Sequence, residues 1–449
     1  MYNEANILFT LKKNKFADLK SFALADEYII DLEDTENRLT DQDRTQILKN
    51  HCIQNGLSLI PEDLSNVSST VGILMYPLLC KLFCSNSKYR ASGKEFFEKP
   101  YDCILNQLDC LKGHKQIQYA SLVLCMFCPN KISEGSLKNQ DSRLVEIKSI
   151  VLENCRVTNG SNTEIIDALN SMINTFTTRT SEGYSLIHDS VSEVLAYHYG
   201  KEHQEDMLQY MNSSFVAKKF KINKHSDDPV DLHIKLSKKH YPAFAERLVR
   251  DLKCLELHDV FENEVLKEPC ICHAFIVELK KLPYLEIKKL FFIKQEDTSK
   301  IFIRKDEEMK KGREMYELYR QELLIDNTLG KPNIRVISWV IAYGHHQILQ
   351  FLFDLVIDHK ESILHVMGLE KPFKSTNIYI SDLREQSRYL SLSCCNDNVE
   401  VVKLILKYCN FKQCDSYRYN SFPPFEIACQ VGHVPLMKLL LQNGANCNQ

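Results

Sequence analysis

The sequence predicts a mainly α-helical, multidomain chain that closes in stacked helical repeats. Three observations carry this. The last segment, Pro423-Pro-Phe-Glu-Ile-Ala-Cys-Gln-Val-Gly-His-Val-Pro-Leu-Met-Lys-Leu-Leu-Leu-Gln-Asn-Gly-Ala-Asn446, reads as two short helices about a glycine turn. Its pattern recurs upstream. Elsewhere apolar residues return at helical spacing, interrupted by one hairpin signal between Phe176 and Ile187.

Composition sets the outer limits. A length of 449 residues suits two to four domains. The hydrophobic share of 44% and charged share of 26% are those of a soluble globular protein. Lys and Arg number 56 against 59 Asp and Glu, a net of −3, so neither nucleic acid nor an anionic membrane is an expected partner. The 17 cysteines show no framework spacing, polar residues follow Met1, and no apolar run approaches the roughly 18 residues of a bilayer span. A reduced, cytoplasmic protein is expected. Glycine is scarce, with 14 residues. The pairs Gly93-Lys94, Gly200-Lys201 and Gly330-Lys331 are followed by Glu, Glu and Pro, and none has Gly five positions before. Without a phosphate-cradling P-loop, the chain is expected to be no enzyme and to carry no cofactor.

Along the chain, residues 6–11 and 28–32 read as two buried strands, the tail of an α/β sheet. From Leu39 the pattern turns helical. Thr40 is placed to cap a helix over Asp41–Asn50. Further helices are predicted at Gly72–Cys84, which contains Pro77, at Phe96–Leu111, and at 117–128, 164–175 and 188–199. Thr- and aromatic-rich arms around Ser181-Glu182-Gly183 read as a β-hairpin. Residues 206–325 read as helical, with a basic cluster at Lys218, Lys219, Lys221 and Lys224 and a highly charged helix around Arg304–Leu324. The Lys cluster suits a solvated face better than a phosphate site. Asp326–Asn333, with Gly330 and Pro332, reads as a linker.

The terminal segment resembles the ankyrin repeat, with its central Gly-His and its leucine helix closed by Asn-Gly-Ala. Pro424 starts the first helix, and Ala428 is small because the paired helices touch there. Gly432 permits the turn before His433. Leu436, Leu439 and Leu440 are expected to bury the second helix, and Gly444 ends it. Asn398-Val-Glu-Val-Val-Lys-Leu-Ile-Leu406 is a second copy, and Asn398 precedes His433 by 35 positions, near the roughly 33-residue period. Gly344-His-His-Gln-Ile-Leu-Gln-Phe-Leu352 is a weaker third copy, set apart by an insertion of roughly 20 residues. Such repeats present surfaces to protein partners and carry no chemistry of their own.

The N-terminal half shows a second resemblance. Met75-Tyr-Pro-Leu-Leu-Cys-Lys-Leu-Phe83 is similar to the G-x-P-L helix of a nucleotide-enclosing lid, and Ile187-His-Asp-Ser-Val191 to the M-H-D motif of a winged helix. With Asp31-Leu32, Leu39-Thr40-Asp41, Phe96-Phe-Glu-Lys-Pro100 and Tyr197-His-Tyr-Gly200, the stretch resembles the novel STAND NTPase family, third subgroup. The resemblance implies an NTPase-core remnant at 1–34, a helical lid at 35–112, a winged helix at 113–205, a helical connector at 206–325 and an ankyrin-repeat solenoid at 326–449. It implies that Pro77 contacts a nucleotide base and that His188 senses phosphate. Imidazole at a helix N-terminus suits that role. The departures are Met75 in place of glycine and the lacking P-loop. The chain therefore resembles the regulatory half of a signalling protein whose partners are proteins, self-association included. An ATP/ADP switch is implied only for a longer parent carrying the P-loop.

Other constellations read as structure. Cys125-x-x-Cys128 lies in an apolar helical run. Cys270-x-Cys272-His273 lacks a fourth ligand. His345-His346 sits at a repeat turn, where histidine serves hydrogen bonding.

Overall fold

The computed structural model describes residues 39–57, 76–128, 131–138, 142–158, 160–222, 232–295, 324, 335–369, 378–408 and 423–445. The expected strands at 6–11 and 28–32, the linker 326–333 and the charged helix around Arg304–Leu324 (Leu324 apart) lie outside these residues. Among the described residues the chain is mainly helical, as the periodicity predicts, with 24 helices and two two-stranded sheets. It divides into two compact units, one spanning Leu24–Ser237 and one containing Lys238–Gln449.

In the first unit, α1 (Asp41–Gln54) starts at a reciprocal cap. The Asp43 amide donates to Thr40 Oγ1 at 3.2 Å, and the Thr40 amide donates back to the Asp43 carboxylate at 2.8 Å. It buries Leu48 and Cys52 and packs on α2 (Tyr76–Ser85). Helix α3 (Ser87–Ser92) follows. The single helix expected at Phe96–Leu111 is instead two, α4 (Lys94–Glu98) and α5 (Pro100–His114). Pro100 explains the break. Its ring pushes Lys99 out of the helical region, to φ −132° and ψ 60°, and then opens the next helix at its first position. Phe83, Tyr89, Phe96 and Phe97 close over one another beneath these helices.

Helix α6 (Gln116–Phe127) is the hub. Every residue from Tyr119 to Phe127 is buried, and a helix that is apolar on all sides must be surrounded. Helix α7 (Glu134–Lys138) follows it. The surrounding elements are α5, α8 (Ser142–Asn154), α9 (Asn162–Ser171) and α10 (Asp189–Gly200). The sequence reading passed over α8. The hairpin stands where predicted: β1 (Thr177–Thr180) pairs antiparallel with β2 (Gly183–Leu186) about Ser181-Glu182. Ile132 adds a third member. Its amide donates to Tyr184 O at 2.8 Å, and the Tyr184 amide donates to Ile132 O at 2.7 Å. Gly183 makes this approach possible, because at φ +141° a Cβ there would lie 2.5 Å from Ile132 O. Helices α11 (Gln204–Tyr210) and α12 (Ser213–Lys219) complete the unit with a short parallel pair, β3 (Phe220–Lys221) and β4 (Ile234–Lys235).

The second unit opens with α13 (Tyr241–Lys253), α14 (Leu257–Phe261), α15 (Glu264–Lys267), α16 (Pro269–Leu279) and α17 (Tyr284–Phe292). Helix–turn–helix pairs follow. They are α18 (Val336–Ala342) with α19 (His346–Asp358), α21 (Ile378–Cys394) with α22 (Val399–Leu406), and α23 (Pro424–Val431) with α24 (Val434–Gln442). The insertion between the first two pairs carries the short helix α20 (Ile363–Val366). First helices stack in one row, α18 on α21 on α23, and α19 stacks on α22. Both rows continue upstream, with α14 against α18 and α16 against α19.

Two glycines test the three-stranded contact. Gly183→Ala should lower unfolding stability by roughly 1–3 kcal/mol, since backbone must move. Gly113→Ala, with nothing within 4 Å of an added Cβ, should be neutral or raise stability by up to about 1 kcal/mol. Urea unfolding of the two variants should therefore shift in opposite directions, or at least differ by more than about 1 kcal/mol.

Candidate protein-binding surface

The turn inside each helix pair exposes a backbone carbonyl, and the next turn along answers it with a side chain. His433 Nε2 lies 3.2 Å from Asp397 O, Asn398 Nδ2 donates to Gly344 O at 2.9 Å, and His345 Nε2 lies 2.7 Å from Phe261 O. A carbonyl only accepts, so each histidine Nε2 carries a proton. His433 also uses its other nitrogen: Nδ1 accepts the Leu436 amide at 3.0 Å and caps α24. That fixes the neutral Nε2–H tautomer. Asn398 performs both tasks with one amide, its Oδ1 accepting the Glu400 amide at 3.1 Å. Asn398 and His433 are thus equivalent for a stated chemical reason. Gly344 and Gly432, at φ +79° and +72°, supply the left-handed reversals that aim the turns.

The sequence-predicted repeat residues meet in the last pair. Ala428 is fully buried, Leu436 and Leu440 are buried, and Pro424 starts α23. Gly432 ends α23 as a left-handed cap. Leu439, expected in the core, is only half-buried. It flanks the buried row formed by Leu436 and Leu440, which lie four positions apart on one helix face.

His345 is the most constrained of the turn residues. It is 4% exposed, and burial pushes its pKa down to about 4, outweighing the hydrogen bond to Phe261 O that favours the charged form. Its neighbour His346 takes the Asn398 amide at 2.9 Å on Nδ1.

Because α16, α19 and α22 lie side by side, an open groove of about 770 Å³ runs along them. It is lined by the half-buried Ile276 and Phe351 and by the exposed Lys280, Asp354, Glu400 and Lys403. Lys280 sits 5.8 Å from the centre of the Phe351 ring, Gln350 donates to Asp354 at 2.6 Å, and Lys403 pairs with Glu400 at 2.7 Å. In the first-helix row, by contrast, Val336–Ala342 are all buried, as are residues 388–395. Sequence reasoning missed the groove because one wall belongs to α16, within the stretch read as connector. The available signal was the apolar 3.6-residue period of Pro269–Leu279.

Pro77 and His188 occupy the first turns of two different helices. Pro77 is exposed at the start of α2. His188 is half-buried and caps α10, its Nδ1 accepting the Ser190 amide at 3.1 Å. Of the set-aside constellations, Cys125 is buried and its thiol is pushed well up by burial. Cys270 and His273 face solvent while Cys272 is buried, so the helix directs them apart. Lys219 is paired with Glu193 at 2.9 Å.

The ankyrin repeat family model matches residues 422–449, the last helix pair. No curated protein and no solved structure matches the chain. An ankyrin repeat points to protein–protein interaction. Among the described residues no helix is long and apolar enough to cross a membrane.

The His345 geometry sets a pH dependence. Its folded pKa lies below the ordinary 6.5, so its contribution is complete above about pH 6.5 and is lost as pH falls toward 4. The interval of about 2.5 pH corresponds to on the order of 3 kcal/mol. His345→Gln keeps a donor for Phe261 O and removes the titration. Urea midpoints at pH 7.5 and 4.5 should fall much further for the wild-type chain than for this variant.

Proposed function

We propose that the chain is a protein-recognition module. In this reading the helix pairs from Leu257 to Gln442 form one array, and a segment of a partner protein lies in the groove along α16, α19 and α22. The carrying observation is the set of side chains that bridge one turn to the next. His345, Asn398 and His433 lock successive turns together, so the groove walls are held by a rigid frame, as a recognition site requires. A lining that mixes half-buried apolar side chains with exposed charges of both signs suits a peptide segment with an apolar anchor flanked by charged residues.

The broader reading is the regulatory half of a STAND-type signalling protein, acting in the cytoplasm without chemistry of its own. Self-association is a second class of partner. Two features support the STAND-type reading. Helix α6, the Ile132 contact, α8, α9 and the hairpin follow in the order of a winged helix, and His188 opens the helix after the hairpin. Helix α9, which precedes the hairpin, carries Glu164 and Asp167 and neither Lys nor Arg, which speaks against nucleic acid as its partner.

The groove reading is tested with Asp354→Lys combined with Lys403→Glu in the full chain. Both side chains are exposed, so the thermal midpoint should hold, within about 0.5 kcal/mol per site. Proteins crosslinked to the wild-type groove in cell extract should bind the double variant at least about 10-fold more weakly. Equal binding by both would remove the groove as the recognition site.

A further inference from the structure

The contact between α1 and α2 holds two thiols that protein recognition does not use. Cys52 on α1 and Cys84 on α2 bring their Sγ atoms to 3.6 Å, and the residues are 4% and 1% exposed. Cys80, one turn before Cys84, is also buried. Burial alone explains a single cysteine, which packs as a small apolar group. It does not explain two sulfurs meeting across a helix–helix contact. A disulfide requires the sulfurs about 2.05 Å apart, so each must move by less than about 1 Å, within reach of a side-chain rotation. Cys80 and Cys84 lie four apart on one helix, where Cβ atoms are about 5–6 Å apart, too far for a bridge. The bond must therefore cross from α1 to α2.

We propose that Cys52 and Cys84 are a redox clasp: a peroxide joins them in a reversible disulfide that fastens α1 to α2. One thiolate attacks hydrogen peroxide, the O–O bond breaks, and the sulfur becomes a sulfenic acid while hydroxide leaves and takes up the proton that the thiol released. The second sulfur then attacks the sulfenic sulfur. The S–S bond forms, the S–O bond breaks, and hydroxide leaves as water with the second thiol's proton. In sum, two thiols and one hydrogen peroxide give one disulfide and two waters. A dithiol reductant reverses the reaction by exchange.

Access is gated by the helix end. Cys52 lies in the last turn of α1, which closes at Asn55 and at Gly56 with φ +66°. Last turns open most readily. While the turn is closed, burial pushes the Cys84 thiol up to about 12, so it does not react. Clasp formation is therefore slower than oxidation of the exposed Cys254, Cys270 and Cys429.

The test uses the full chain. Reduced protein is treated with hydrogen peroxide, blocked with N-ethylmaleimide, digested without reductant and analysed by mass spectrometry. A peptide pair joined through Cys52 and Cys84 is expected, lost on adding dithiothreitol and retained in Cys80→Ser. The oxidised protein should melt higher than the reduced protein, and Cys84→Ser should remove that rise. Recovery of Cys52 and Cys84 as separate blocked peptides after Cys254 is fully oxidised overturns the proposal, as does a Cys52–Cys80 pair. The wild-type digest decides the matter by itself, even where a variant does not fold.

Discussion

In the second unit the carbonyl of one turn is answered by a side chain of the next, and the helix pairs are stacked around those bonds. Each tight turn between paired helices leaves a backbone oxygen that the helix it follows cannot reach. Leaving one unpaired in the interior costs about 1–3 kcal/mol. His345, Asn398 and His433 each satisfy the oxygen of the preceding turn. The result is more than local relief. The same bonds fix the spacing of successive pairs, hence the two helix rows, hence the groove along the second row. The groove thus rests on hydrogen bonds made between turns.

The first unit solves a different problem. Helix α6 offers no polar face from Tyr119 onward, so four helices and the hairpin must surround it. One buried polar group beside it is paired on both sides. His198, 3% exposed, stands between Tyr119 Oη at 2.7 Å and Asp109 Oδ1 at 2.9 Å. Burial still holds its pKa below the usual value despite the Asp109 carboxylate, because the ring is enclosed while that carboxylate is largely solvated. The Tyr197-His198-Tyr199-Gly200 run singled out in the sequence thus has a packing role that spacing alone could not supply.

Local grammar was legible and long-range partnership was not. Thr40, the Ser181-Glu182-Gly183 turn and the Gly432-His433 turn each announce themselves, because caps and turns depend on a few neighbouring residues. The break at Pro100 was written in the sequence too, but the apolar period on either side of it outweighed the proline. Helix α8 was missed although Ile147 and Val151 lie four apart on its buried face. The turns beside the candidate site were legible as three copies, but the first wall of the groove was not. The last pair carries a recognisable signature, whereas Asn398 and His345 do the same work with different chemistry or behind an insertion. The groove, shared by three helices drawn from residues 269 to 406, depends on contacts that no window of sequence contains.

The bonds between turns also set an order in which the array assembles. They join positions 36, 54 and 84 residues apart, counting from the C-terminal rung to the N-terminal one. Closing a longer loop forfeits more chain entropy, about 0.6 kcal/mol for each doubling. The rung nearest the C-terminus therefore closes with the smallest entropic penalty, and each pair that docks shortens the free chain left for the next. Folding of the array should run from Gln442 toward Leu257, so that the most buried rung, at His345, is the last to be sealed.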